Sequence, residues 1–119
     1  SRALVIGINE YESASPLSYA VNDASEMKDV LISELGFEKG NVIYLTDKQA
    51  TKFNILKSFL RFSNDDISID DRLFVFFAGH GHTKSGVRGE VGYLVPYDAS
   101  MDDISTSHVD LIYMYIYML

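Results

Sequence analysis

Three short apolar runs, each closed off by polar or glycine residues, decide what this chain can become. Ala3-Leu4-Val5-Ile6-Gly7-Ile8 is continuous and rich in β-branched side chains, and Leu73-Phe74-Val75-Phe76-Phe77 is the most apolar of the three. Neither alternates apolar with polar residues, which is the pattern of a strand covered on both faces, as in a parallel sheet. Asn41-Val42-Ile43-Tyr44-Leu45 lies between them as a further strand, ended by Thr46-Asp47.

The segments between the runs carry a different period. Leu17, Ala20, Val21, Ala24, Met27, Val30, Leu31 and Leu35 recur at spacings of three and four, the stripe of an amphipathic helix, and Gly36 just beyond suits a left-handed C-terminal cap. Thr51 is placed to cap a second helix whose buried face is expected to hold Ile55, Leu56, Phe59 and Leu60, with Asn64-Asp65-Asp66 as its stop. Strand, helix, strand, helix, strand implies right-handed crossovers and a parallel sheet with helices packed on its faces. Beyond the third strand, the glycine-punctuated residues 85–92 and Tyr93-Leu94-Val95-Pro96 read as a small hairpin, because Pro96 would be awkward in a central strand. In the tail, Tyr113, Tyr115 and Tyr117 alternate with Met114, Ile116 and Met118 at a strand's period, while the Met and Leu content suits a helix equally; residues 109–119 fit either. No repeat or linker divides the 119 residues, so a single domain is expected.

Composition removes several classes of function. A formal net charge of -7 repels phosphate backbones, so no nucleic-acid partner is expected. An acidic surface attracts basic peptides, or does no more than keep the chain in solution. With no cysteine in the sequence, disulfides and Cys-ligated zinc are excluded. Ser1-Arg2 leads straight into the first apolar run without a secretory leader, and the apolar residues 111–119 are too few to cross a bilayer. The expected setting is cytoplasmic, with no membrane partner.

In an open parallel sheet, chemistry gathers at the carboxyl ends of the strands. The first strand runs out into Gly7-Ile8-Asn9-Glu10-Tyr11 and the third into Ala78-Gly79-His80-Gly81-His82. Glycines on either side of His80 let a substrate backbone approach closely, and a histidine there is poised for proton transfer near neutral pH. The bland alternative is a loop histidine bonded only to its neighbours. A catalytic zinc site on His80 and His82 would need His108 to fold back as a third ligand, so His82 is read as a neighbour of the working histidine. No phosphate-binding glycine loop follows the first strand, Asn9-Glu10-Tyr11 lacks the paired acids of a phosphate-accepting receiver, and no Gly-x-Ser-x-Gly elbow is present.

Four motifs in order complete the reading: Ala3-Leu4-Val5-Ile6-Gly7-Ile8-Asn9-Glu10-Tyr11, Leu17-Ser18-Tyr19-Ala20-Val21-Asn22-Asp23-Ala24, Phe77-Ala78-Gly79-His80-Gly81 and Gly92-Tyr93-Leu94-Val95-Pro96-Tyr97-Asp98. Over residues 3 to about 99 the chain resembles the metacaspase-like, bacterial-type branch of the caspase-like cysteine peptidases. The resemblance implies the caspase–hemoglobinase fold, an α/β three-layer sandwich with a mostly parallel sheet and helices on both faces. Residues 1–119 would be the N-terminal portion, a single partial catalytic domain. It further implies that His80 is the catalytic histidine, that the backbone N–H of Gly81 helps form the oxyanion hole, and that Asp23 lines a pocket for Arg or Lys of a peptide or protein substrate. Against the last role stands a plain helix-start acid, favoured there by the helix dipole. Ala20 and Ala78 stand where many metacaspases have Cys and Ser, which alters the pocket lining. Some relatives bind calcium after the Pro-x-Asp motif, which makes Asp98, Asp102 and Asp103 candidate ligands; a solvated acidic loop with no cofactor is the alternative.

The nucleophile is the departure. In caspases the cysteine lies about 50 residues past the histidine, whereas 119 − 80 = 39 residues follow His80 here. The expectation is that the chain stops before the nucleophile. Otherwise residues 109–119 are that strand with the cysteine lost, and the domain is a catalytically dead binding or regulatory unit.

Overall fold

The computed structural model describes residues 1–64, 72–86, 89–100, 109–110 and 116–118. In chain order these form β1 (Arg2–Gly7), α1 (Ala20–Ser33), β2 (Val42–Thr46), α2 (Lys52–Asn64), β3 (Leu73–Ala78), β4 (Gly81–Gly86), β5 (Gly89–Leu94), β6 (Val109–Asp110) and β7 (Ile116–Met118). The main sheet has the order β2-β1-β3-β7, and every pair in it is parallel. β4, β5 and β6 make a smaller antiparallel sheet.

The continuous apolar runs are explained by layers on both sides of the sheet. Ala3 and Val5 of β1 and Phe76 of β3 face one way, packing with Ala24 and Leu31 of α1. Leu4, Ile6, Val75 and Phe77 face the other way, packing with Ile55 and Phe62 of α2. Successive side chains of a strand point to opposite faces, so a strand covered by a helix on each side has no position left for a polar residue. Opposite faces for the helices also follow from the strand order: β2 lies on one side of β1 and β3 on the other, and right-handed crossovers in opposite directions put their helices on opposite faces. The three-layer architecture implied by the family resemblance is therefore the observed one.

Glycine and alanine set the closeness of α1. A Cβ on Gly7 would lie 2.6 Å from Ala24 Cβ and 2.8 Å from the Ala20 carbonyl oxygen, so the helix presses against β1 where the strand has no side chain. At its other end α1 closes with Gly36 at φ 75, and the Phe37 N–H donates to the Leu31 carbonyl at 2.9 Å. The helix begins later than its apolar stripe suggests. Leu17 lies before it, with its N–H donating to the Asn9 carbonyl at 2.8 Å.

Thr51 caps α2 as expected, its Oγ1 accepting the Asn54 N–H at 3.1 Å. The buried face of α2 differs from the expectation: Ile55, Ser58 and Phe62 are buried and Phe59 partly so, whereas Leu56 is 41% and Leu60 62% exposed. Leu60 lines an open groove with Ile43 of β2, the end strand of the sheet among the described residues. In the tail, 116–118 takes the strand reading, and 109–110 adds a short antiparallel strand to β5. Among the described residues no helix is long and apolar enough to cross a membrane.

Candidate active site

The strand order reverses direction at β1, which makes the carboxyl ends of β1 and β3 the natural crevice of the sheet. The Ile8 N–H donates to the Ala78 carbonyl at 3.0 Å and holds the two ends side by side. From there the chain leaves β1 as a long loop that reaches α1, and leaves β3 through Gly79 and His80 into β4.

His80 is gripped by the β1–α1 loop at two points. Its Nε2 lies 2.7 Å from the carbonyl oxygen of Ser15. A carbonyl only accepts, so the ring proton of the neutral imidazole sits on Nε2, and Nδ1 is left with a lone pair to take a proton. At the backbone, the His80 N–H donates to Tyr11 Oη at 2.8 Å, and that hydroxyl donates to the Val95 carbonyl at 3.2 Å. The Tyr11 ring rests against the imidazole, with centroids 4.9 Å apart and planes tilted by 45°. Gly79 makes room for this contact, since a Cβ there would lie 2.5 Å from Tyr11 Oη and 2.8 Å from Phe77 Cζ. Burial pushes the Tyr11 phenol up to about 12; the hydrogen bond from His80 opposes the rise and the Asp47 carboxylate adds to it.

The loop is itself pinned from three directions. Asp47, just past β2, adopts φ 46, and its Oδ1 accepts the N–H groups of Asn9 at 2.9 Å and Glu10 at 3.0 Å. Asn9 Oδ1 accepts the Val21 N–H at 3.2 Å and so caps α1, whose N-cap residue Tyr19 makes no side-chain cap. The Glu12 N–H donates to the Tyr97 carbonyl at 3.1 Å, while the Tyr97 N–H donates to the Ala50 carbonyl at 2.9 Å. The ends of β1, β2 and β5 are thereby tied into one rim around His80.

The other expected site residues fall out as follows. Gly81 opens β4 opposite Leu94. Because the Val95 N–H donates to the His80 carbonyl at 3.0 Å, Gly81 and Leu94 are the alternate pair of the ladder, whose N–H groups turn away from each other. The Gly81 N–H therefore faces outward from β4, an end strand of its sheet. Asp23 is exposed in the first turn of α1. Asp98 Oδ1 accepts the Lys52 N–H at 2.9 Å and caps α2. Asp102 and Asp103 lie outside the described residues, as does His108, and among the described residues no group of three His, Cys, Asp or Glu side chains converges. His82 stands across the hairpin from Tyr93, with rings stacked at 6.4 Å, away from the Ser15 and Tyr11 contacts that hold His80.

Sequence reasoning gave no role to Tyr11, Ser15 or Asp47. Asp47 was legible in principle: it ends a parallel strand at the same edge of the sheet as Gly7 and Ala78. Ser15 acts through its backbone carbonyl, which leaves no trace in residue type.

Beside β3, the position for a neighbouring parallel strand is taken by β7, with Phe77 level with Met118. β7 therefore runs in the same direction as β3, toward the end from which the chain turns through Gly79 into His80.

A parallel sheet that carries a histidine between two glycines at the end of β3 agrees with the caspase-like resemblance of the sequence. The caspase domain family matches residues 1–113, and the chain belongs to that family. It is 34% identical over 95 residues to metacaspase-1 of Eremothecium gossypii, covering 75% of this chain and 21% of that protein. It is 33% identical over 95 residues to metacaspase-1B of Aspergillus clavatus, covering 75% of this chain and 23% of that one. The chain thus spans between a fifth and a quarter of these relatives. The crystal structure of a Geobacter sulfurreducens protein shares the fold at a TM-score of 0.68 and 19% identity, over 92% of this chain and 40% of that one.

Proposed function

We propose that this chain carries the general-base side of a cysteine endopeptidase site that cuts after Arg or Lys, and that the nucleophile belongs to residues continuing β7. The observation that carries the reading is the bond from His80 Nε2 to the Ser15 carbonyl, which leaves Nδ1 as the proton acceptor. A thiol brought level with His80 would lose its proton to Nδ1, and the thiolate would attack the scissile carbonyl carbon. The oxygen of the tetrahedral intermediate gains a full charge, which the outward-facing Gly81 N–H would meet. As the C–N bond breaks, the imidazolium returns its proton to the leaving amine; water, deprotonated by His80, then cleaves the thioester and frees the thiol. Throughout, the Ser15 carbonyl holds the Nε2 proton. Asp23, exposed in the first turn of α1, would offer its carboxylate to the basic side chain before the scissile bond.

The test uses a parent protein in which β7 runs on into a cysteine. It should hydrolyse Arg and Lys reporter peptides and take up a thiol-directed covalent probe, both lost in His80→Ala, whereas the 119-residue chain, with no cysteine, should do neither. One observation favours a second reading: the strand position beside β3 is already filled, by a segment without a thiol. If the parent lacks a cysteine near that level, the domain is a caspase fold used for binding, and the peptidase proposal is wrong.

A further inference from the structure

The β4–β5 ladder has a defect at the residue that matters most. In an antiparallel pair, two residues facing each other across a close rung exchange both N–H···O=C bonds. His80 and Val95 form such a rung, one step beyond Gly81 and Leu94, but exchange only one bond directly, from the Val95 N–H to the His80 carbonyl at 3.0 Å. The reciprocal bond runs through a third residue: the His80 N–H donates to Tyr11 Oη at 2.8 Å, and Tyr11 Oη donates to the Val95 carbonyl at 3.2 Å. A phenol hydroxyl has been inserted where a backbone bond of about 2.9 Å would otherwise close the hairpin.

We propose that Tyr11, through this inserted hydroxyl, is the positioning residue that aims His80, prying its backbone off the β5 ladder so that Nε2 meets the Ser15 carbonyl and Nδ1 faces the reaction. The inference rests on reading His80 as the site's base. Three features separate it from plain packing. Tyr11 and Ser15 share one loop, so the same segment sets the backbone and the ring of His80 together. A Cβ on Gly79 would come closest to the hydroxyl, at 2.5 Å, and next to Phe77 Cζ, at 2.8 Å, so the glycine keeps clear the space that the hydroxyl and the Phe77 ring share. The hydroxyl is used in both directions, as acceptor and donor, so its removal leaves one N–H and one carbonyl without their partner. Its raised pKa, about 12, keeps the phenol protonated and able to donate throughout the neutral range.

The experiment has a structural arm on this chain and a kinetic arm on a cysteine-bearing parent. In the unmutated chain, the Tyr11 hydroxyl proton should exchange slowly with water and show a through-space NMR contact to the His80 amide, and the imidazole nitrogen shifts should report the Nε2–H tautomer. In Tyr11→Phe, which keeps the ring, His80 amide exchange should rise by roughly three- to tenfold, the size of one lost hydrogen bond, and the tautomer should become mixed. Gly79→Ala, which keeps the tyrosine but crowds its hydroxyl as well as the Phe77 ring, should give the same signature in a variant whose melting temperature shows it still folded. In the parent, Tyr11→Phe should lower kcat by about tenfold with KM nearly unchanged, as expected of a misaimed base. If the hydroxyl proton exchanges freely in the unmutated chain, or the tautomer and exchange are unchanged in Tyr11→Phe, the proposal is overturned. If they change while kcat does not, and His80→Ala still abolishes turnover, aiming is refuted and the peptidase reading stands. If His80→Ala leaves turnover intact, the peptidase reading fails and the structural arm alone decides whether Tyr11 sets the ring.

Discussion

At the carboxyl end of the sheet, the turn after β3 and the first turn of α1 are built on opposite principles. His80 has its ring nitrogen, its backbone N–H and its backbone carbonyl each bonded to a different residue, and a tyrosine ring packed against its imidazole. Asp23 is exposed on a helix whose cap is supplied by Asn9 rather than by any acid of the first turn. The difference matches the two tasks proposed for them. Proton transfer requires one tautomer at one angle, and small misplacements are costly. A carboxylate that greets a long, flexible Arg or Lys needs charge and reach, and the substrate's own side chain can complete the geometry.

The largest expected effect lies on the rigid side. In a cysteine-bearing parent, His80→Ala should reduce kcat by roughly 10²–10⁴-fold, the usual contribution of a general base. His82→Ala should cost far less, because that ring is stacked on Tyr93 across the hairpin and not held by the Ser15 and Tyr11 contacts. Equal losses at the two positions would show that the hydrogen-bonded cradle does not select the working histidine, and the contrast with Asp23 would lose its meaning.

Next comes the loop that carries the cradle. Asp47→Ala removes an acceptor used by two N–H groups and leaves a Cβ-bearing residue without side-chain compensation at φ 46. Together these should cost about 2–3 kcal/mol of stability, read from chemical denaturation. Asp47→Asn keeps an acceptor oxygen and tolerates the left-handed conformation, so it should lose about half as much or less. If Asp47→Ala is as stable as the unmutated chain, the loop is held by its other bonds and the rim is less interdependent than its geometry implies.

A smaller effect should appear at alkaline pH. The Tyr11 pKa rises from 10.0 to about 12 on folding, so the folded state holds this proton more tightly than the unfolded chain. Its contribution is complete below pH 10 and is lost as pH climbs toward 12. The stability difference between the unmutated chain and Tyr11→Phe should accordingly be flat up to pH 10 and then move against the unmutated chain. A difference that stays flat through this window would mean the phenol is not held in its protonated form by the fold.

How much of this was written in the sequence varies with the kind of interaction. The unbroken apolar runs at 3–8 and 73–77 specify strands covered on both faces because burial leaves no solvent side to encode, and the helical stripe of α1 is equally direct. Leu56 and Leu60 are exposed against expectation, because periodicity shows which residues are apolar, not which flank of the helix the sheet reaches. Residues 109–119 were ambiguous locally, and at 116–118 pairing with β3 supplies what local pattern lacks. Around the site, the Gly-His-Gly triplet announced itself, whereas its partners did not. Ser15 works through a carbonyl, and Tyr11 through a hydroxyl brought from 69 residues away.

The smallest effect is expected at Asp23. As an exposed carboxylate, it should stabilise a bound Arg or Lys side chain by no more than an exposed ion pair does, about 0.2–1 kcal/mol. In a cysteine-bearing parent, Asp23→Asn should then lower kcat/KM for Arg reporters by up to about fivefold relative to neutral ones, and added salt should shrink the difference. The fold should be nearly indifferent, since the side chain does not cap α1 and only its favourable placement near the helix N-terminus is lost, a few tenths of a kcal/mol. Melting temperature is measured in parallel so that instability is not mistaken for altered preference. An unchanged Arg-over-neutral ratio in a folded variant would remove Asp23 from the site and leave the preference for basic residues without a residue behind it. A drop of a hundredfold or more would say the opposite: that substrate and the rest of the parent close over this carboxylate and desolvate it, so that the exposed first turn becomes a buried pocket only when the peptide is bound.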